Sequence, residues 1–377
     1  MAHRTILTPK QREVLFGLPA DEAQLLKHYT LSDEDLDHIG QRRRPRNRLG
    51  FALQLCALRY PGRALLPGEV IPVEIADFLA AQLGLQDADL DAYAAREETR
   101  HEHMASLRQL YGYRTFSGRG ARDLKLWLHG QAEHAVSNED IARRFVEECR
   151  RTLTILPAIS TIERLCADAL VAAEKRIETR IADRLSDDEC VALDDLLFEM
   201  VEDRLTRFVW LRKFEVGNNS AAARRLLDRL DYLRKIDVSP DVFHGVPDHR
   251  ITRLRRQGER YFADGLRDLP DDRRHAILAV CVSEWRRAIA DAMVETHDRI
   301  VGRTWREAAR LCDDRMEGAQ PEVQKTLRSF RDMGTALLEA KNDDVSLEDA
   351  ISSSPGWTDL QTLVAVAARL TDTLSSD

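Results

Sequence analysis

Apolar residues recur along this chain at the three- and four-residue spacing of one helix face, and almost nowhere at the alternating spacing of a strand. The pattern predicts a succession of helices. Thr8-Pro9 opens the first, with a cap followed by a proline at the first helical position. A second is expected over about Asp21–His28. Ser32 with Asp35 three residues on is a carboxylate variant of the capping box, and Gly40 ends that helix. The next spans about Pro45 to Arg59 and stops before Pro61-Gly62, with Leu49, Leu53 and Cys56 on one face and Phe51, Leu55 and Leu58 widening it.

Further along, Pro72 and Gly84 bracket "PVEIADFLAAQLGL", and "DADLDAYAAREETRHEHMASLRQLYG" reads as two helices. A helix over Arg119–Gly130 turns Leu124, Trp127 and Leu128 inward. Ser137 caps another that runs to about Arg151. After the link "TLTILPAIS", Ile159 or Ser160 starts a helix burying Ile162, Leu165 and Ala169. From about 163 to 235 helical spacing continues through Ile177, Leu193, Met200, Val201, Leu205 and Phe208, with Ser186 and Ser220 as caps and "VGNNS" as a loop. Residues 241–250 form a break. Long amphipathic helices follow, interrupted near "SSSPGW". No fixed repeat period is present.

This organisation predicts an all-α chain: two small helical modules of helix-turn-helix type, at 1–70 and 71–185, then a helical dimerisation or scaffold arm over 186–377. Composition agrees: 44% hydrophobic, 6% aromatic, and few β-branched runs of strand length. No apolar run approaches the roughly 18 residues of a membrane span, so no membrane partner is expected, and a cytoplasmic location is. Six scattered cysteines without a C-x-x-C pair point to reduced thiols.

Charge changes the picture. The net charge is −8, yet residues 1–63 hold eleven Lys/Arg against seven Asp/Glu, leaving −12 for the rest. Arg42, Arg43, Arg44, Arg46 and Arg48 crowd the start of the Pro45 helix. A helix N-terminus already presents free N–H groups and positive potential, so five cations there are unfavourable until an anion arrives. A phosphate backbone would compensate both. The bland alternatives are a solvated basic corner or ion pairs with the acids of Asp33–Asp37. Arg119, Arg122 and Lys125, just after Arg114, make a second basic group. Ser160, Thr161 and Arg164 are the exposed candidates on the helix after the short turn, where a helix-turn-helix would place its reading helix; an ordinary helical hairpin fits the same pattern. Glu163 beside them would orient the arginine or reject wrong sites.

Catalytic motifs are missing. "HEHMA" at 101–105 has Ala105 where a zinc-peptidase helix needs its second histidine, and "FSGRGARD" holds only G-x-G. No phosphate-binding loop or nucleophile elbow occurs.

Taken together, "RRRPRNRLGFALQLCALRYPGR", "PAISTIERL" and "VETHDRIVGRTWREAAR" resemble, in order, blocks of the N-terminal part of the replicative transposases of the Tn-three family. The resemblance implies binding of double-stranded DNA at transposon terminal inverted repeats, through Arg42–Arg48 and through Ser160, Thr161 and Arg164. It also implies a homodimer. Family members cut and join strands in an Asp-Asp-Glu, Mg2+-dependent domain further toward the C-terminus; no position here matches it, so this chain alone is expected to be non-catalytic, to need no cofactor, and to be a truncated product or fragment of a longer transposase. The rival readings are a DNA-binding regulator of transposition or transcription, and a purely structural helical assembly protein.

Overall fold

The computed structural model describes residues 5–19, 21–66, 68–85, 97–202, 205–343, 345–353 and 356–374. The helix expected just before Glu97 and the middle of the turn expected at 352–357 lie outside these. The protein is all-α: among the described residues the only strands are two ribbons of two short strands each. Among the described residues no helix is long and apolar enough to cross a membrane.

Two compact units divide the chain: Met1–Val209 with Ile236–Glu284, and Trp210–Lys235 with Trp285–Asp377. In the first unit α1 (Pro9–Phe16), α2 (Glu22–His28), α3 (Asp33–Gly40) and α4 (Pro45–Arg59) follow in quick succession. Thr8 and Ser32 each complete a reciprocal capping box, with Gln11 and Asp35. α5 (Val73–Leu83) and α6 (Glu97–Tyr111) pack on α4, which is buried all round from Leu49 to Leu58. These helices enclose one apolar cluster, built on Tyr29, Ile39, Phe51, Leu55, Ile75, Leu79 and Leu107.

A second cluster forms among α7 (Gly118–Gln131), α8 (Asn138–Arg151) and α9 (Ile159–Ala182), around Leu128, Ile141, Phe145, Ile162, Cys166 and Ala169. Here β1 (Arg114–Thr115) pairs in parallel with β2 (Thr154–Ile155). α1 belongs to this cluster through Leu7, Leu15 and Phe16, although the chain passes through the other before returning. Arg12 clamps it there: its guanidinium grips the buried Glu163 carboxylate at 2.7 Å, and the Leu7 amide donates to the same group at 3.2 Å.

The two clusters meet where α4 ends. Gly62 has φ +102°, a backbone that disfavours any residue with a Cβ, and its carbonyl accepts from the Leu156 amide at 3.0 Å. Arg150 lies 4.6 Å over the Tyr60 ring, whose other side stacks on His28, and its Nε donates to the Pro61 carbonyl at 2.8 Å.

Beyond α9 come α10 (Asp187–Phe198), β3 (Met200–Glu202) and β4 (Leu205–Thr206), which pair antiparallel, and α11 (Arg207–Arg212). The expected unbroken helical spacing through Met200, Val201 and Leu205 is therefore corrected to a ribbon; over so short a run apolar residues fit either period. α12 (Ser220–Lys235) is capped by Asn219, not Ser220: the Asn219 side-chain oxygen accepts from the Ala222 amide at 2.8 Å. A 3-10 turn at Pro240–Phe243 fills the expected break, followed by α13 (Asp248–Arg260) and α14 (Ala263–Arg267). Arg250 is 3% exposed and donates to the carbonyls of Ala132, Glu133 and Ala135, satisfying the end of α7. The expected separate C-terminal helices are one, α15 (Asp271–Asn342), of 72 residues, which passes through Pro321. α16 (Leu347–Ser353) and α17 (Trp357–Leu374) close the second unit. Within that unit Arg286 donates to the Leu233 carbonyl, and the Gly217 amide to the buried Thr296 hydroxyl, at 3.2 Å each.

α13 meets α15 at Gly258, where an added Cβ would lie 2.2 Å from the Cys281 sulfur and 3.2 Å from Ile277. Gly258→Ala is expected to destabilise the protein by about 1–3 kcal/mol through overpacking. Adding Cys281→Ala to it should recover part of that stability in urea titrations; no recovery would mean that the sulfur is not the cause.

Candidate nucleic-acid interface

The arginine block owes its geometry to the turn between α3 and α4. The Arg42 amide donates to the Ile39 carbonyl at 3.0 Å, and Arg44 is extended at the cap position without a side-chain cap bond. Pro45 then starts the helix, and no acid lies in its first turn. The first-turn amides are therefore left without a side-chain cap or an acid, next to a run of arginines.

The five arginines do two different things. Arg42 folds back, 4.3 Å from the Phe51 ring, and donates to the Ser106 hydroxyl at 2.7 Å, fixing α6 to the block. Arg48 donates to the carbonyls of Arg42 at 2.8 Å and Gly40 at 3.2 Å, holding the turn closed. Arg43 and Arg44 are exposed and Arg46 is half-buried. Among the described residues none of the five has a carboxylate partner. The acids of Asp33–Asp37 do not serve them: Asp35 is taken by Arg59 at 2.7 Å and by the Tyr111 hydroxyl at 2.9 Å. Burial pushes the Asp35 carboxyl up, but hydrogen bonds from Arg59, the Ser32 amide and Tyr111 outweigh it and hold it below its ordinary range. His103, 3% exposed, packs edge-on to Phe51 at 5.2 Å; burial and the Arg42 cation push it down to about 4.

The second basic group surrounds the start of α7. Ser117 occupies the cap position, but its hydroxyl is shared with Thr115 at 3.0 Å and makes no cap bond. Gly118 sits at φ +58°, where a side chain would be strained, and an added Cβ on Gly120 would meet nothing within 4 Å. This leaves an open, approachable helix start with no acid in its first turn. Arg119, Arg122 and Lys125 are exposed; Arg119 reaches only Asp123, at 3.9 Å. Beside them a depression of about 580 Å3 is lined by Arg108 and Arg114, by the acids Asp123 and Glu148, and by Ser117, Gly120 and Trp127; Glu148 is taken by Arg151 at 2.7 Å. Arg108 was not legible as a candidate: it lies on α6, and only the turn at Gly112 brings it to α7.

The third candidate set is placed differently. α9 starts at Ile159 with Ala158 as an unbonded cap. Ser160 lines a cleft of about 1250 Å3 together with five acids, Glu13, Asp21, Glu22, Glu69 and Glu74, and two arginines, Arg12 and Arg63, each already paired with a carboxylate. Thr161 is half-buried. Arg164 is exposed and, among the described residues, without a hydrogen-bond or ion-pair partner. Glu163 does not orient it, contrary to one expectation, because its carboxylate is buried on Arg12 and the Leu7 amide. No hydrogen bond or ion pair among the described residues joins Arg164 to the other two groups. No His/Cys/Asp/Glu group suited to a metal ion occurs among the described residues.

Residues 6–169 match the family model described as a domain of unknown function, DUF4158. The chain is 30% identical over 370 residues to the transposase for transposon Tn21 of Escherichia coli, covering 98% of this chain and 37% of that protein. It is 31% identical over 360 residues to the transposase for transposon Tn3926 of Escherichia coli, covering 95% and 36%. The transposase for transposon gamma-delta of Escherichia coli is 27% identical over 349 residues, covering 90% and 33%. The chain thus spans about a third of the length of these relatives.

The division of the block has a measurable signature in stability. Arg42→Ala is expected to cost about 1–2 kcal/mol, because it removes both the packing on the Phe51 ring and the hydrogen bond to Ser106. Single changes at Arg43 or Arg44 should stay within about 0.5 kcal/mol. Equal destabilisation at all three in chemical denaturation would refute it. A second signature is pH. Because the folded pKa of His103 lies near 4 against 6.5 unfolded, the unfolded chain binds the extra proton, and stability contributed here is lost as pH falls from 6.5 to 4. His103→Gln should flatten the fall in stability over that interval; an identical profile would exclude His103 as its source.

Proposed function

The chain belongs to the Tn-three family of transposases, as an N-terminal part of them, and on that premise we propose that it binds double-stranded DNA at transposon terminal inverted repeats. The observation that carries this is the block at the start of α4: five arginines at an uncapped helix end with no carboxylate partner among the described residues. Such a site is electrostatically incomplete, and phosphates supply the missing charge for both the helix end and the guanidinium groups. Arg43, Arg44 and Arg46 are the phosphate contacts; Arg42 and Arg48 position them. Arg119, Arg122 and Lys125 act likewise at the open start of α7, joined by Arg108 and Arg114.

Sequence readout falls to the α8–α9 pair as a helix-turn-helix. Arg164 is its base-reading side chain, because arginine donates two bonds to a guanine edge. Thr161 and Ser160 make the accessory contacts, with Ser160 the weaker candidate because acids rim the cleft it faces. Four exposed apolar side chains on α15, Trp305, Leu311, Leu327 and Leu338, favour pairing with a second copy. The role is delivery of a transposase to its DNA ends, in the cytoplasm at the nucleoid; the Mg2+-dependent cutting and joining is assigned to a catalytic domain outside these 377 residues.

The triple change Arg43→Ala, Arg44→Ala, Arg46→Ala should weaken binding to every duplex alike. The slope of log affinity against log salt should fall by about 0.9 for each phosphate the protein no longer neutralises. Unchanged affinity and slope would defeat the reading. Arg164→Ala, by contrast, should reduce the preference for an inverted repeat over scrambled DNA by roughly tenfold, since one good base contact is worth about 1–3 kcal/mol. An equal reduction on both duplexes would make α9 a positioning helix.

A further inference from the structure

The second unit carries a basic cavity of its own. Between the end of α11 and the middle of α12, a cavity of about 370 Å3 is lined by Lys213, Phe214, Glu215, Arg225, Leu226 and Arg229. Three cations face one acid. Arg229 is 9% exposed, and its guanidinium lies 4.7 Å from the Trp210 ring. It donates to three backbone carbonyls: Nε to Trp210 at 3.1 Å, Nη1 to Arg225 at 2.9 Å and Nη2 to Lys213 at 3.1 Å. These bonds fix its plane and use three of its five N–H groups, leaving one on each terminal nitrogen.

The bonds satisfy donors without neutralising charge. No carboxylate lies within ion-pair distance of Arg229 among the described residues, and a buried cation without a counter-charge is costly. Burial, and then the neighbouring Arg225, push its guanidinium below the ordinary pKa, and the more distant Asp228 carboxylate offsets this only in part. Lys213 and Arg225 are exposed, and neither side chain has a partner among the described residues. A rigid, preoriented guanidinium flanked by two mobile cations is the arrangement that recognises a tetrahedral oxyanion, with Arg supplying geometry and Lys a point charge.

We propose that this cavity is a phosphate-binding site that holds a backbone phosphate of duplex DNA, so that the region around α12 takes part in DNA binding as well as in the expected scaffold. The inference rests on the DNA-binding reading above. A single phosphate is the ligand unit, since the cavity is small and Glu215 bounds its anionic reach. Arg229 is the fixed donor; Lys213 and Arg225 are the screening cations whose removal leaves the fold intact.

The test measures duplex binding across a salt series by fluorescence anisotropy with the full chain, for the unaltered protein and for the pair Lys213→Gln, Arg225→Gln. The salt slope is expected to fall by about 0.9, the equivalent of one phosphate, with affinity lowered alike on repeat and scrambled duplexes. Circular dichroism and thermal melting check folding, and Lys213→Glu alone repeats the measurement if the pair melts early. An unaltered protein that binds no duplex overturns this proposal and the DNA reading together. A protein that binds duplex, shows a reduced slope on the Arg43, Arg44, Arg46 change and an unchanged one on the Lys213, Arg225 change overturns this proposal alone. Calorimetric titration with inorganic phosphate completes the test: tight phosphate binding with an unchanged duplex slope would give the cavity to a free anion and overturn the DNA assignment.

Discussion

The joint at Tyr60–Gly62 is the contact on which the first unit depends. Two apolar clusters, one around α4 and one around α8 and α9, share little continuous core. What fixes one to the other is Arg150, seated on the Tyr60 ring and bonded to the Pro61 carbonyl, with Leu156 closing onto Gly62. Burial lowers the pKa of Arg150, so the joint is held at a desolvation cost. The ring packing and the carbonyl bond must offset that cost. The return of α1 to the second cluster, locked by Arg12 on Glu163, gives the joint a second strap. Together these settle where the start of α4 stands relative to α7, and hence whether two basic groups face one ligand.

Much of this was legible in the sequence and some was not, for identifiable reasons. Helices with a strong cap and a clear apolar face were readable: Thr8, Ser32 and Ser137 stand at helix starts, and Leu124, Leu128, Ile162 and Leu165 are buried as their spacing implies. Periodicity failed at Met200–Thr206, where a few residues satisfy both helix and strand, and it did not show that one helix runs unbroken from Asp271 to Asn342 through Pro321. The arginine block was visible as charge, but its division was not. Which guanidinium turns inward depends on Phe51 and Ser106, one of them 64 residues from Arg42. Glu163 was misread for the same reason: its partner is 151 residues away.

The distribution of acids explains how an acidic chain keeps basic surfaces. Asp35, Glu69, Glu133, Glu148 and Glu163 are each engaged by an arginine within the first unit, and the bonds to Asp35, Glu69, Glu133 and Glu148 hold those four carboxyls below their usual range. Their charge is spent locally, so it does not screen Arg43, Arg44 or the cations of α7. Net charge therefore says little about either surface, and local pairing decides.

Only eight of the 56 basic residues are lysines. At Arg42, Arg150, Arg229 and Arg250 the choice of arginine has a structural reason. Each guanidinium lies flat against a ring, donates in diverging directions to fixed carbonyls or a hydroxyl, or does both, which an ammonium on a flexible stem does not reproduce. Mutational drift that exchanges arginine for lysine would conserve the charge and the long-range field while dismantling the framework. Such drift is invisible to any electrostatic measure of the surface, so at these four positions a charge-conserving exchange would register as lost stability with an unaltered long-range field.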